Sequence, residues 1–177
     1  MPLYYITGGS GSGKSTALLE LKRRGYEVYD VDQAGPVTGK WHNIQTGYIH
    51  PKSSVKKEDR TTEFLKHHSW RVLPEEVEEI AKRAKSRTIF LGGTIDNMAE
   101  VSILFDRIFA LVVDHDTLKN RLLTRTNNDW GKNPHELQMA LDWNQKATEA
   151  HQKKGHIIID ATQQIEKVAD QILNHVN

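Results

Sequence analysis

The chain has 177 residues, no cysteine, and 24 Lys plus Arg against 23 Asp plus Glu, a formal net charge of +1. That length suits one domain with its own core, taken here as a single domain over 1–177. The lack of cysteine excludes disulfides, iron–sulfur clusters, cysteine zinc sites and a cysteine nucleophile. The balance of charge argues against a basic coat for a nucleic-acid polymer. Apolar runs stay far short of the ~20 residues that span a bilayer, and Met1 to Ser12 lacks the basic start of a secretory leader. The expectation is a soluble, cytoplasmic protein with no membrane partner.

In chain order, Leu3-Tyr4-Tyr5-Ile6 is a β-prone run ending at Gly8, and Ala17, Leu18 and Leu21 follow at helical spacing up to a stop at Gly25. Tyr26 to Val31 reads as a second strand. From Asp32 to Arg71 the pattern weakens: Gly35-Pro36, Gly39, Gly47 and Pro51 interrupt it, and Lys56 to Arg60 is a charged run. This stretch, 32–71, is expected to be a partly irregular, substrate-facing insertion. Pro74 opens a helix with Glu75, Glu76, Glu78 and Glu79 early and Lys82, Arg83 and Lys85 late, the order the helix dipole favours. Thr88 to Leu91 is a third strand closed by Gly92-Gly93, and Ile108 to Val113 a fourth. Asp116 is placed to cap the helix carrying Leu118 and Leu122. Asn127 to Asn133 is polar and loop-like. Asn133-Pro134 starts a long helix with Leu137, Leu141 and Ala147, and Ile157 to Ile159 is a fifth strand. In the last helix Ile165, Val168, Ala169, Ile172, Leu173 and Val176 follow the 3.6-residue period. Strands alternating with helices predict an α/β fold, a five-stranded parallel sheet between helices.

Gly8-Gly9-Ser10-Gly11-Ser12-Gly13-Lys14-Ser15-Thr16 matches G-x-x-x-x-G-K-[ST] between a strand and a helix. Consecutive backbone N–H groups must curl around phosphate oxygens, and glycine permits the dihedrals and the close approach. Lys14 supplies positive charge to the β- and γ-phosphates, Ser15 a hydroxyl to Mg²⁺, and the helix start its positive end. Asp30 and Asp32 close the second strand and face one side if the strand runs that far. One carboxylate there can hold Mg²⁺ through water, and the other can take the proton of an acceptor hydroxyl. The alternative is a solvated strand end with turn-forming aspartates.

The loop, its helix and Tyr29-Asp30-Val31-Asp32-Gln33 together resemble the shikimate kinase group and the wider set of P-loop nucleoside and nucleotide kinases. The resemblance implies the P-loop NTPase fold, ATP and Mg²⁺ as cofactors, and phosphoryl transfer to a small-molecule acceptor. It implies that Asp30 helps position Mg²⁺ and that Asp32 binds the acceptor hydroxyl. Gly92-Gly93 resembles the glycine segment lining the acceptor pocket. Arg121 and Arg125 resemble the R-x-x-x-R that opens the lid, the first arginine packing on adenine and the second reaching the transferring phosphate. Asp160-Ala161-Thr162 resembles the base-side loop. Thr94 stands where shikimate kinases carry a third glycine, and Arg60-Thr-Thr-Glu63 only loosely echoes their acceptor-binding R-x-x-E. These departures turn the reading from shikimate toward a nucleoside-kinase-like acceptor.

On a helix Arg121 and Arg125 would share a face, and with Thr126 to Lys132 they read as the hinge of a polar lid over 121–135. The alternative is a solvated basic helix. Ala110-Leu-Val-Val-Asp114 also resembles a Walker B strand, so Asp114 competes with Asp30 for Mg²⁺, although the preferred reading is that Asp114 begins the next helix. Nine histidines show no ligand spacing. Trp41 and Trp70 are the aromatic candidates for acceptor contact, and Arg60 and Arg71 candidates for an acceptor phosphate or carboxylate. The chemistry is assigned to Lys14, Asp32 and Arg125. The competing reading is an ATPase or nucleotide-binding switch without a small acceptor, although no guanine-reading N-K-x-D occurs.

Overall fold

The computed structural model of the protein describes residues 2–51, 54–126 and 130–176. In chain order the elements are β1 (Leu3–Thr7), α1 (Lys14–Arg23), β2 (Glu27–Asp30), β3 (Lys40–Asn43), α2 (Thr62–His67), β4 (His68–Arg71), α3 (Pro74–Arg83), β5 (Ile89–Gly92), α4 (Met98–Val101), β6 (Arg107–Val112), α5 (His115–Thr124), α6 (Pro134–Lys153), β7 (Ile157–Asp160) and α7 (Ile165–Leu173). Five strands form one sheet in the order β2-β5-β1-β6-β7, and each neighbouring pair is parallel. This is the predicted P-loop NTPase α/β architecture.

The central strand shows why its sequence is apolar throughout. Successive side chains of β1 point to opposite faces, and both faces are covered. Tyr4 and Ile6 pack with Leu18, Leu21, Phe90, Phe109 and Leu122 on one side. Leu3 and Tyr5 pack with Val77, Ile80, Ile89 and Leu91 on the other. The first core is covered by α1, α5, α6 and α7, the second largely by α3. Pro74 opens α3, with Glu75 and Glu76 in its first turn and Lys82 and Arg83 in its last. Asn133 caps α6, its side chain accepting the Glu136 N–H at 2.8 Å. Val168, Ala169 and Ile172 form the buried stripe of α7.

Three expectations are corrected. The cap of α5 is Asp114, in line with the reading that Asp114 begins this helix, and not Asp116: the Asp114 carboxylate accepts the Thr117 N–H at 2.7 Å and the Thr117 hydroxyl at 2.8 Å. Second, β2 ends at Asp30, so Asp32 lies in the turn that follows and not on the strand. Third, the 32–71 stretch is more ordered than its pattern implied, because β3 and β4 pair antiparallel with Trp41 opposite Trp70. Lys40-Trp-His-Asn and His68-Ser-Trp-Arg lack the apolar alternation that marks a strand, and their pairing is made across the chain between them. Thr61 caps the short α2 before β4.

Gly39 sits directly against the Trp70 ring, where an added Cβ would lie 2.2 Å from Trp70 Cε2. A rigid indole cannot give way as a flexible chain end does. Gly39→Ala is therefore expected to destabilise the fold by about 1–3 kcal/mol, the usual cost of overpacking, read as a lowered midpoint in urea unfolding.

Candidate active site

The phosphate-loop residues 8–16 run from the end of β1 into α1. Gly13, the residue before α1, has φ 97° and ψ 16°, a left-handed conformation that glycine adopts without strain. The first N–H groups of α1 have no partner within the helix and point toward the loop's concave side. Lys14 Nζ donates to Gly8 O at 2.8 Å and to Gly9 O at 2.9 Å. The lysine keeps some contact with solvent, but protein packs around its ammonium group. That burial, with Arg125 as a like charge, pushes its pKa down to about 8, and Asp32 and Asp30 oppose the shift. The loop thus carries a weakened cation held on its own carbonyls.

Two carboxylates meet this loop. Ser15 Oγ donates to Asp30 Oδ2 at 2.8 Å, and Asp30 Oδ1 accepts the Asp32 N–H at 2.9 Å. Asp30 thereby links the serine of the motif to the turn carrying the second carboxylate. Asp32 borders the same cavity as Lys14, and its Oδ1 accepts Trp70 Nε1–H at 3.2 Å.

Two arginines approach from α5. Arg121, on the last turn, donates from Nη2 to Ala161 O at 2.8 Å and from Nη1 to Ser12 O at 3.4 Å. Arg125 does not share a helical face with it. It is the first residue past α5, extended at φ −63° and ψ 145°. It still reaches the loop, with Nη1 donating to Ser10 Oγ at 3.1 Å and Nη2 to Trp130 O at 2.6 Å. Asp160 folds the loop after β7 by accepting the Thr162 N–H at 3.0 Å and hydroxyl at 2.6 Å. This presents the Ala161 carbonyl to Arg121.

These groups surround a cavity of about 550 Å³ lined by residues 10–16, Asp32, Arg121, Thr124, Arg125, Ala161 and Gln163 among others. A second cavity of about 280 Å³ lies across the loop and shares Ser10 and Ser12 with the first. Its walls include Thr94, Met98, Trp130, Trp143 and Asn144. Trp130 and Trp143 stack there with ring centroids 6.2 Å apart.

Gly92 and Gly93 are buried, the first against Leu18 and the second against Val31. The residues lining the second cavity at this strand end are Thr94 and Ile95. Of the 121–135 segment, 127–129 lie outside the described residues; beyond them the Gly131 N–H donates to Glu136 Oε2 at 2.8 Å. Arg60 lies over the Trp41 ring at 5.6 Å, and Arg71 pairs with Glu100. Sequence reasoning missed Thr94, whose hydroxyl donates to Gly8 O at 3.2 Å. It also missed Tyr5, whose buried hydroxyl has no hydrogen-bond partner among the described residues. Burial, with Asp32 and Asp30 adding to it, pushes the Tyr5 ionisation up. Nothing in an apolar strand marks such a tyrosine beforehand.

No family model matches the chain. Among curated proteins it is 33% identical over 61 residues to the acid ceramidases of Rattus norvegicus and Mus musculus, a stretch covering 34% of this chain and 15% of those relatives. Solved structures are similar along nearly the whole chain. The shikimate kinase of Acinetobacter baumannii in complex with shikimate has 16% identity and a TM-score of 0.58, over 100% of this chain and 96% of that one. The deoxyadenosine kinase of M. mycoides with bound dATP has 15% identity and a TM-score of 0.56, over 100% of both. A sugar kinase from Janibacter sp. HTCC2649 has 17% identity and a TM-score of 0.54, over 98% and 93%. The fold is that of the P-loop kinases. No helix among the described residues is long and apolar enough to cross a membrane.

The state of Lys14 has a pH signature. With its pKa down to about 8, the free lysine loses its proton in mildly alkaline solution, whereas a bound polyphosphate holds that proton on. Affinity for ATP with Mg²⁺ is expected to be flat below neutrality and to fall by up to about tenfold per unit between about pH 8 and pH 10. Calorimetry in buffers of different ionisation enthalpy reads the matching proton uptake.

Proposed function

We propose that this chain catalyses ATP-dependent phosphoryl transfer to the hydroxyl of a small, nucleoside-like acceptor, working as one domain over 1–177 with an acceptor-binding insertion at 32–71 and a lid at 121–135. The observation that carries the reading is the division of labour between two carboxylates at one loop. Asp30 is bonded to the Ser15 hydroxyl, while Asp32 stands on the wall of the cavity that Lys14, Arg121 and Arg125 also line. A nucleotide switch or plain ATPase, the second reading, has no evident use for the second carboxylate.

The residues present fit the cofactors. A hydroxyl and a carboxylate are hard oxygen donors of the kind Mg²⁺ takes; Ser15 and Asp30 would serve it. Asp114, with both oxygens engaged by Thr117, is the weaker candidate. Residues 8–16, Lys14 and the two arginines suit a polyphosphate chain. Mg²⁺–ATP bound there supplies the transferable phosphoryl group.

The protein's own part is positioning and charge neutralisation, which carry most of such catalysis. Lys14 exchanges the Gly8 and Gly9 carbonyls for phosphate oxygens. Arg125, next to Ser10, offsets charge developing on the transferred group, and Arg121 supports the nucleotide side beside Ala161. Asp32 accepts a hydrogen bond from the acceptor hydroxyl and takes its proton. Gly92 and Gly93, at the end of β5, serve the acceptor side from behind the cavity wall, leaving room for Leu18 and Val31. Trp130, on the wall of the second cavity, is placed to help exclude water from the acceptor side. A nucleoside hydroxyl is favoured over shikimate because Thr94 and the Arg60–Glu63 spacing depart from the shikimate pattern. The cytoplasm, where ATP is abundant, suits such a reaction.

A coupled assay for ADP with nucleosides, nucleoside monophosphates, shikimate and gluconate tests the proposal. ADP that appears only with one acceptor supports it, and acceptor-independent turnover overturns it in favour of the ATPase. With that acceptor, Asp32→Asn is expected to lower kcat by about 10²–10⁴-fold, the usual weight of general base catalysis, with ATP affinity nearly unchanged.

A further inference from the structure

Asp32 stands in the turn that follows β2. Its backbone is set by the Asp30 Oδ1 contact and by the Gln33 N–H donating to Asp30 O at 2.9 Å. Neither bond touches the Asp32 carboxylate. Among the described residues, Trp70 Nε1–H of the inserted hairpin donates to that carboxylate at 3.2 Å.

Trp70 is itself held on several sides. Its backbone N–H donates to Asp96 Oδ2 at 2.6 Å, and its carbonyl accepts the Asp96 N–H at 2.8 Å. Its ring centroid stands 5.2 Å from that of Trp41, and Gly39 closes the remaining side. The hairpin is anchored to the body by the Lys40–Glu76 and Arg71–Glu100 ion pairs. Asn97 adds to this by bonding both the Val72 N–H and carbonyl, at 3.2 and 3.0 Å. Asp96 and Asn97 follow closely on Thr94, which is bonded to Gly8 of the phosphate loop. The hairpin is therefore docked on the strand end that also touches the loop.

We infer that Trp70 is the positioning residue for Asp32, its ring N–H orienting the carboxylate on the cavity wall. The inference rests on the reading of Asp32 as the group that meets the acceptor hydroxyl. An indole suits the task because it donates one hydrogen bond, accepts none, and carries no charge. It orients a carboxylate without offering a cation to stray phosphate. The arrangement also makes a competent site depend on a docked insertion, since the donor comes from β4 while the acceptor carboxylate comes from the β2 end.

The test uses the full chain labelled with ¹⁵N in its indoles and ¹³C in its Asp carboxyls, and it needs no acceptor. The chain has four tryptophans. Trp70→Phe keeps the ring and removes the donor, so the lost indole signal is that of Trp70. That signal is expected to move in Asp32→Asn, and the Asp32 carboxyl carbon signal is expected to move in Trp70→Phe. A Trp70 signal indifferent to Asp32→Asn overturns the inference. If Trp70→Phe does not fold, the Asp32→Asn comparison on the intact ring decides, with the indole assigned through its contacts to Gly39 and Trp41. With an acceptor identified, Trp70→Phe is expected to lower kcat about tenfold, roughly the worth of one charge-assisted hydrogen bond, to leave the ATP KM alone, and to add nothing to Asp32→Asn. Equal losses in both backgrounds also overturn it. Full transfer by Asp32→Asn defeats the kinase reading of Asp32 instead, while the indole spectra still decide whether Trp70 holds the carboxylate.

Discussion

Lys14 holds its ammonium group among protein atoms at the mouth of a glycine-rich loop, donating to the Gly8 and Gly9 carbonyls. Burial weakens that cation, Arg125 weakens it further, and two aspartates partly restore it. A buried charge is costly unless paired, so the loop, the helix start and the two arginines form a region that favours a bound polyanion. The surrounding structure serves that demand. The parallel sheet brings the ends of β1, β2, β5, β6 and β7 to one edge, the place where open α/β sheets bind ligands. Only at such an edge can residues from positions 10–16, 32, 121–125 and 161 share one cavity.

The same edge separates two kinds of carboxylate. Asp30 is drawn to Ser15, Asp114 is consumed as a helix cap, and Asp32 stands in a turn and accepts the Trp70 indole N–H from another part of the chain. Three aspartates near one sheet edge therefore have three environments, set by which donor each one meets. The insertion supplies that donor for Asp32 and is tied to the body by ion pairs and by Asn97.

The phosphate loop was legible because its requirements are local: backbone curvature, small residues, one lysine and one hydroxyl in a row. The helices α3 and α7 were legible for a similar reason, since charge order and the apolar stripe are written at fixed spacing. The Asp116 cap failed because two aspartates, Asp114 and Asp116, compete for one helix start, and the geometry of the Thr117 N–H selects the earlier. Arg125 failed as a helical neighbour of Arg121 because the helix stops one residue before it. The β3–β4 pairing left almost no local trace, being stabilised by Trp41 against Trp70 and by Gly39 beneath them.

The amino-acid order by itself determined the strand–loop–helix unit, the two-faced burial of β1 and the presence of lysine, hydroxyl and carboxylates near one end of the sheet, because each depends on neighbours a few positions apart. Only the tertiary structure decided which aspartate faces the cavity, which one caps a helix, how Arg125 returns to Ser10, and that an indole from the insertion meets Asp32. Those outcomes depend on donors and acceptors brought together from distant segments by packing, and no spacing along the chain encodes them directly.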